Sequence, residues 1–72
     1  MTSLDIELAI VVNGEAVATK AETLHALVTE RGLGDARIAT ALNGDFVPAA
    51  SRSATKLAKG DRIEIVSARH GG

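Results

Sequence analysis

The sequence predicts an α+β domain in which one main helix covers one face of a single mixed β-sheet. Two stretches of alternating residues each run into Asn-Gly, at positions 13–14 and 43–44, and this arrangement is the strongest short signal for a β-hairpin. Between them, apolar residues recur at three- and four-residue spacing, which is typical of a helix packed on a core. A chain of 72 residues has room for one domain.

The first hairpin opens with a strand whose alternate residues are apolar, because successive side chains of a strand point to opposite faces. The residues on one face are Ile6, Leu8, Ile10 and Val12. Asn13 and Gly14 tolerate the positive φ angles that a two-residue hairpin turn requires. The return strand is expected from Glu15 to Thr19.

The helix is expected to start at Thr23, whose hydroxyl oxygen can accept a hydrogen bond from the first turn. Its stripe consists of Leu24, Leu27, Val28 and Arg31. Gly32 is expected to end the helix in a left-handed conformation, with Leu33 packing back on the last turn. Thr19 and Glu22 form an alternative capping box that would start the helix about one turn earlier.

The second hairpin resembles the first in its pattern. Ile38, Thr40 and Leu42 alternate along its first strand. The return strand starts at Asp45, and Pro48 ends the pairing because it lacks a backbone N–H. The remaining elements are a loop that leads to Leu57, a turn over residues 59–61 and a last strand from Arg62 to about Ala68, with Ile63 and Ile65 on one face.

The order hairpin, helix, hairpin, loop and strand is that of the β-grasp architecture of ubiquitin-like proteins. Residues 1–68 are expected to form the β-grasp domain, and residues 69–72 a flexible C-terminal tail that ends in Gly-Gly. The core is expected to be aliphatic, since Phe46 is the only aromatic residue. Its expected members are Ile6, Leu8, Ile10, Leu24, Leu27, Val28, Ile38, Leu42, Ile63 and Ile65.

Composition argues against several classes of protein. Without cysteine there is neither a disulfide nor a thiolate metal site. The apolar runs are too short for a signal peptide or a membrane span, so a cytoplasmic protein with no membrane contact is expected. A net charge of −1 and a single aromatic residue do not fit a nucleic-acid-binding domain. His25 and His70 lack ligand spacing, so no metal site is expected, and His25 is expected to face solvent.

No arrangement of side chains predicts a catalytic site. Asp61, Ser67 and His70 lie on one strand end and its flanks, without the strained turn of a nucleophile elbow. Gly32 and Gly34 follow a helix, whereas a phosphate-binding loop opens one. The carboxylate of Gly72 is the remaining candidate, and it reacts only after it acquires a leaving group such as AMP. An activating enzyme must draw the tail through a narrow passage, and glycine lacks the Cβ, at Gly71 for example, that would block it.

Charge is distributed unevenly along the chain. In residues 1–50, three basic against seven acidic residues give −4, whereas in residues 51–72 five basic against two acidic residues give +3. One interpretation is an ordinary solvated surface. The other is a basic C-terminal end, with Arg62, Arg69 and His70 as contacts to an acidic partner.

The segments ALNGDFVP, KGDRIEIV and the closing GG resemble the ThiS family, the sulfur carriers of thiamine biosynthesis. VVNGE and TLHALVTERGL stand where that family has its first hairpin and helix, so the resemblance spans nearly the whole chain. Ala49 departs from the pattern, because the family often has Arg after the proline; one partner contact is therefore in doubt.

The resemblance implies a protein cosubstrate, monomeric by itself, with no catalysis and no bound cofactor. A ThiF-like enzyme would use ATP to adenylate the Gly72 carboxylate, and a sulfur donor such as a cysteine desulfurase would replace AMP to leave a thiocarboxylate. A ThiG-like thiazole synthase would then take the sulfur. The absence of an internal cysteine suits such a carrier, because no thiol competes for the activated acyl group.

Three alternative functions fit a similar sequence. A related carrier would supply sulfur to molybdopterin synthase or to another pathway through the same terminal chemistry. A ubiquitin-like modifier would be joined through Gly72 to lysines of other proteins. A TGS-type β-grasp module would act by binding, although such modules work within larger chains.

Overall fold

The computed structural model describes residues 7–34 and 36–67. Its elements are β1 (Leu8–Val12), β2 (Glu15–Thr19), α1 (Leu24–Glu30), β3 (Ile38–Leu42), β4 (Asp45–Val47), a 3₁₀ helix (Ala49–Ala54) and β5 (Arg62–Ser67). The predicted strand residue Ile6, the predicted strand end at Ala68 and the boundary between domain and tail lie outside the described residues.

The five strands form one mixed sheet in the order β2-β1-β5-β3-β4. The central pair, β1 and β5, is parallel. The other three pairs are antiparallel. Both hairpin turns have positive φ at both central residues, 51° and 83° at Asn13-Gly14 and 51° and 90° at Asn43-Gly44, as a type I′ turn requires. The α+β class, the single mixed sheet and both hairpins are thus confirmed.

Helix α1 begins and ends where its capping residues predict. The Thr23 hydroxyl oxygen accepts a hydrogen bond of 3.1 Å from the Ala26 backbone N–H. At the other end, Gly32 has a φ of 76°. Its N–H donates to the Thr29 carbonyl, and the Leu33 N–H donates to the Val28 carbonyl. These two bonds make a Schellman motif, which satisfies carbonyls that the helix leaves free.

The alternative capping box at Thr19 and Glu22 is wrong. Thr19 is the last residue of β2 and pairs with Leu8 of β1. Its buried hydroxyl accepts a bond from the Ala21 N–H and donates to the Glu30 carboxylate at 2.7–2.8 Å. Strand pairing therefore holds Thr19 in the extended conformation, and its hydroxyl connects the end of β2 to the end of α1.

The core lies between α1 and one face of the sheet. Its buried apolar residues are Ile10, Val12, Ala21, Leu24, Leu27, Val28, Val47, Leu57, Ile63 and Ile65. Six of the expected core residues are therefore confirmed. Leu8, Ile38 and Leu42 are only partly buried and pack against this cluster, because they lie near strand ends that α1 does not fully cover.

The predicted loop after Pro48 contains the 3₁₀ helix, for which the sequence shows no local signal. The Arg52 guanidinium fixes it to the sheet, since Nε donates to the Thr40 hydroxyl at 3.0 Å and Nη2 donates to the Ile38 carbonyl at 2.9 Å. The buried Thr40 hydroxyl in turn donates to the Val47 carbonyl at 2.9 Å. Arg52 is thereby committed to contacts inside the domain.

Candidate functional site

Strand β5 is the element that leads into the C-terminal tail, and it occupies the middle of the sheet. It pairs with β1 on one side and with β3 on the other. Ile63 and Ile65 are 1% and 8% exposed, so the strand is anchored by its inward side chains. A tail that continues from β5 therefore starts from a rigid support, whose position is set by both halves of the fold.

The Asn13 side chain extends the pairing of β5 beyond the last residue of β1. Its Oδ1 accepts a hydrogen bond of 2.8 Å from the Ile65 N–H, and its Nδ2 donates to the Ile65 carbonyl at 3.1 Å. These residues are 52 positions apart in the chain. The turn of the first hairpin thereby holds the second half of β5.

Asn43 makes an equivalent connection from the second hairpin to the start of β5. Its Oδ1 accepts a bond from the Arg62 N–H at 2.8 Å, and its Nδ2 donates to the Asp61 carboxylate at 3.0 Å. The other Asp61 oxygen accepts from the Ala58 N–H at 2.8 Å. The Asp61 carboxylate thus organises the turn before β5.

The face of the sheet opposite α1 is open and consists largely of small apolar residues. Cross-strand pairs on this face include Ala9 with Ala18 and Val11 with Ala16. On its other half, two larger side chains stand out: Phe46 is 68% exposed and Val66 is 57% exposed. Val66 lies one residue before the end of β5. This surface, which we call the open face, therefore extends to the last residues of β5.

The predicted site residues Arg69, His70, Gly71 and Gly72 lie outside the described residues. Arg62 is described: it is exposed on the open face at the beginning of β5. Five residue steps separate it from Ser67, which is about 17 Å along a strand. Arg62 therefore belongs to a different part of the surface from the tail, and its contact with a partner stays a prediction.

The fold does not bring Asp61, Ser67 and His70 together as a catalytic triad would require. Asp61 and Ser67 lie at opposite ends of β5, about 20 Å apart at the rise of a strand, and His70 lies outside the described residues. His25 is exposed on α1, as expected. Within residues 7–34 and 36–67, no group of three or more His, Cys, Asp or Glu residues could hold a metal ion.

A cavity of about 340 Å³ lies at the end of the sheet where β5 begins. Its lining residues are Leu8, Lys20, Ala21, Glu22, Lys56 and Leu57. Leu8 lies near the level where β5 begins, because the Gly60 N–H donates to the neighbouring Ala9 carbonyl. This cavity is therefore remote from the end of β5.

No helix in the described part of the chain is both long and apolar enough to cross a membrane.

Comparison with known proteins agrees with this architecture. The model of the ThiS family matches residues 7–72. The crystal structure of the thiamine biosynthesis protein ThiS from Geobacter metallireducens is similar, with a TM-score of 0.76 and 25% sequence identity, over 90% of this chain and all of that one. No match was found among curated proteins. Because the family model covers nearly the whole sequence, this chain belongs to the ThiS family.

Proposed function

We propose that this chain is a sulfur carrier of thiamine biosynthesis, and that its working group is the carboxylate of Gly72. The observation that carries the proposal is the family match, which continues through residue 72 and so includes the closing Gly-Gly. The central position of β5 supports it, because the strand that leads into the tail is the best-anchored strand of the sheet.

The proposed chemistry starts with activation of a poor electrophile. An oxygen of the Gly72 carboxylate attacks the α-phosphorus of ATP in a ThiF-like enzyme, and pyrophosphate leaves. The resulting acyl-adenylate has AMP as its leaving group. The terminal sulfur of a persulfide, carried by a donor such as a cysteine desulfurase, displaces AMP and leaves an acyl disulfide. A thiol then attacks the donor's sulfur in this disulfide and forms a new disulfide with it, which releases the acyl-bound sulfur. The product is a thiocarboxylate, from which a ThiG-like thiazole synthase takes the sulfur. The domain itself is a cosubstrate and supplies no catalytic residue and no cofactor.

The fold contributes presentation of the tail. Five residues follow Ser67 in the sequence, and an extended segment of that length reaches about 17 Å at ~3.3–3.6 Å per residue. That reach is enough to place a carboxylate in an enzyme pocket while the β-grasp body stays outside. The open face, which extends to the last residues of β5, is then the surface that the activating enzyme contacts, with Val66 and Phe46 as its apolar contacts.

The test is to incubate the protein with a ThiF-like enzyme, ATP and a sulfur donor, and to determine the mass of the intact protein and of its C-terminal peptide. The wild-type chain should exchange one oxygen for sulfur at Gly72. One Ala added after Gly72 should prevent this, because it displaces the reactive carbon by about 3.5 Å. Thiolation of the extended variant at the wild-type rate would show that the terminus is not the reactive group.

Gly71→Val examines the passage through which the tail must move. The variant should melt like wild type, since position 71 follows the last strand, yet it should not be adenylated, because the side chain fills the passage. Gly34→Ala is a matched control within the domain, where a Cβ would meet only the Thr29 side chain at 3.7 Å. Equal adenylation of Gly71→Val and wild type would contradict the narrow-passage mechanism.

The receiving pathway can be tested separately. Thiocarboxylated protein should lose its sulfur when it is mixed with a thiazole synthase and the remaining thiazole precursors, but keep it with a molybdopterin synthase large subunit and the pterin precursor that accepts sulfur there. The opposite result would favour the molybdopterin alternative. Recovery of the chain joined to lysines of other proteins would favour the modifier alternative.

Cytoplasmic location stays a prediction, which fractionation of cells can test.

A further inference from the structure

Strand β5 carries two opposite charges in a line on the open face. Its residues Ile63 and Ile65 are buried in the core. Because successive side chains of a strand alternate, Arg62, Glu64 and Val66 point to the other side of the sheet, where all three are exposed. Two residue steps separate the Cα atoms of Arg62 and Glu64 by about 6.6 Å. Along β5, the open face thus presents a cation, an anion and an apolar side chain in that order.

Both charged side chains have small or apolar neighbours on adjacent strands. Glu64 is paired with Ala41 of β3, which is paired in turn with Phe46 of β4. On the other side of β5, Arg62 is paired with Val11 of β1. In the part of the chain that the structure describes, neither charged side chain has an ion-pair or hydrogen-bond partner. Each charge is therefore stabilised by solvent.

We propose that Arg62 and Glu64 determine the orientation in which the activating enzyme binds the open face, by pairing with an acidic and a basic side chain of that enzyme. The inference rests on the proposed function, because it specifies the surface that the enzyme presents to its carrier. That surface has an acidic group opposite Arg62 and a basic group opposite Glu64, about 6.6 Å apart. Beside them lie apolar groups that contact Phe46 and Val66.

Charge complementarity identifies the chemistry of this occupant. A partner that packs against Phe46 and Val66, which are 68% and 57% exposed, also removes water from the adjoining Glu64. A carboxylate that loses its water without gaining a cation costs free energy, so a purely apolar surface is rejected. A partner turned by half a turn would place like charges against both Arg62 and Glu64. The two charges therefore select the partner and its orientation together.

The test exchanges the two charges without changing their sum. The double variant Arg62→Glu/Glu64→Arg keeps the net charge and every apolar residue of the open face. Both positions are exposed, so the variant should melt like wild type. Adenylation by a ThiF-like enzyme is measured as pyrophosphate release. The KM for the carrier should rise at least about tenfold. The kcat should stay within about twofold, since neither side chain belongs to the reacting group.

Single substitutions provide the control. Glu64→Gln and Glu22→Gln each remove one carboxylate, but Glu22 is exposed beside the cavity on the α1 side of the sheet. The KM should rise for Glu64→Gln and stay unchanged for Glu22→Gln.

Two outcomes would overturn the proposal. One is an unchanged KM for the double variant, which would show that the order of the charges on β5 does not matter. The other is a wild-type dimer in sedimentation that Phe46→Ser dissociates, which would assign the open face to a second copy of the chain. No adenylation of wild type would instead overturn the proposed function itself.

Discussion

Leu27 is one of the three α1 residues that are buried in the core between the helix and the sheet. It is 1% exposed within the core cluster, so its truncation removes apolar contacts and leaves a cavity. Leu27→Ala should lower the free energy of unfolding by about 2–5 kcal/mol. His25→Ala is the control, because His25 is exposed on the same helix. Thermal or denaturant unfolding measures both, and an unchanged melting curve for Leu27→Ala would show that the helix packs through another face.

Thr40 is a second residue whose side chain stabilises the fold. Its hydroxyl donates a hydrogen bond to the Val47 carbonyl and accepts one from the Arg52 guanidinium. Thr40→Val keeps the shape but removes the donor to the Val47 carbonyl and the acceptor of the Arg52 Nε–H, while the Arg52 bond to the Ile38 carbonyl remains. The free energy of unfolding should fall by about 1–3 kcal/mol. Thr40→Ser keeps the hydroxyl and should lose less. If serine and valine proved equally destabilising, the methyl group rather than the hydroxyl would be the important part of the side chain.

Among the connections between elements, the Asn13 side chain joins the first hairpin to the second half of β5. Asn13→Gly keeps the positive φ of the turn at no steric cost and removes only the two bonds to Ile65. Amide exchange at Ile65 should become faster, with a loss of stability of about 1–2 kcal/mol. Asn43→Gly is the matched variant: it frees the start of β5 but should leave the Ile65 amide protected. Protection of Ile65 in both variants would contradict this role for Asn13.

The elements that the sequence predicted are those with local signals. Hairpins, helix caps and the last strand follow from Asn-Gly pairs, from Thr23 and Gly32, and from apolar spacing. The 3₁₀ helix was missed because its residues, Ala49–Ala54, bury no side chain and show no apolar period. The Asn13 contact to Ile65 spans 52 positions and depends on strand register, which no local pattern encodes.

For the candidate site, the sequence alone supplies the hypothesis that Gly72 is the reactive group, and this hypothesis stays a prediction. The closing Gly-Gly and the segments that resemble the ThiS family indicate Gly72, and both are visible in the amino-acid sequence itself. The open face is harder to predict from the sequence. Its alanines alternate with core residues, and alanine is too small to mark an apolar surface by itself. The two exposed large side chains of this face are Phe46 and Val66. That they lie on the same face becomes clear only from the arrangement of the strands in the sheet.

At the scale of the whole molecule, the uneven charge predicts how the carrier approaches its enzyme. Arg69→Glu should slow association with the activating enzyme at low ionic strength more than at high, since salt screens steering. Arg31→Glu makes the same change of charge at an exposed residue in the acidic part of the chain. Stopped-flow association rates compare the two. Equal slowing by both variants would assign the effect to net charge rather than to the basic C-terminal end.

The two Asn-Gly turns have a consequence for the chemical lifetime of the protein. Asparagine is a thermolabile residue, and a following glycine leaves its nitrogen unhindered for attack on the side-chain amide, which expels ammonia and forms a succinimide. In the folded chain, both amide groups are already bonded to the start or the middle of β5. Each must release those bonds before its carbonyl carbon can be reached.

Deamidation of Asn13 should therefore be slowed in proportion to the small fraction of molecules in which its bonds to β5 are open, so that an intact fold delays it relative to a denatured chain. Hydrolysis of the succinimide gives aspartate or isoaspartate, neither of which can donate to the Ile65 carbonyl. Peptide mapping after prolonged storage at mildly alkaline pH would follow both sites. Loss of the Asn13 amide would remove its bond to the Ile65 carbonyl, so slow chemical damage at a hairpin turn would loosen the second half of β5.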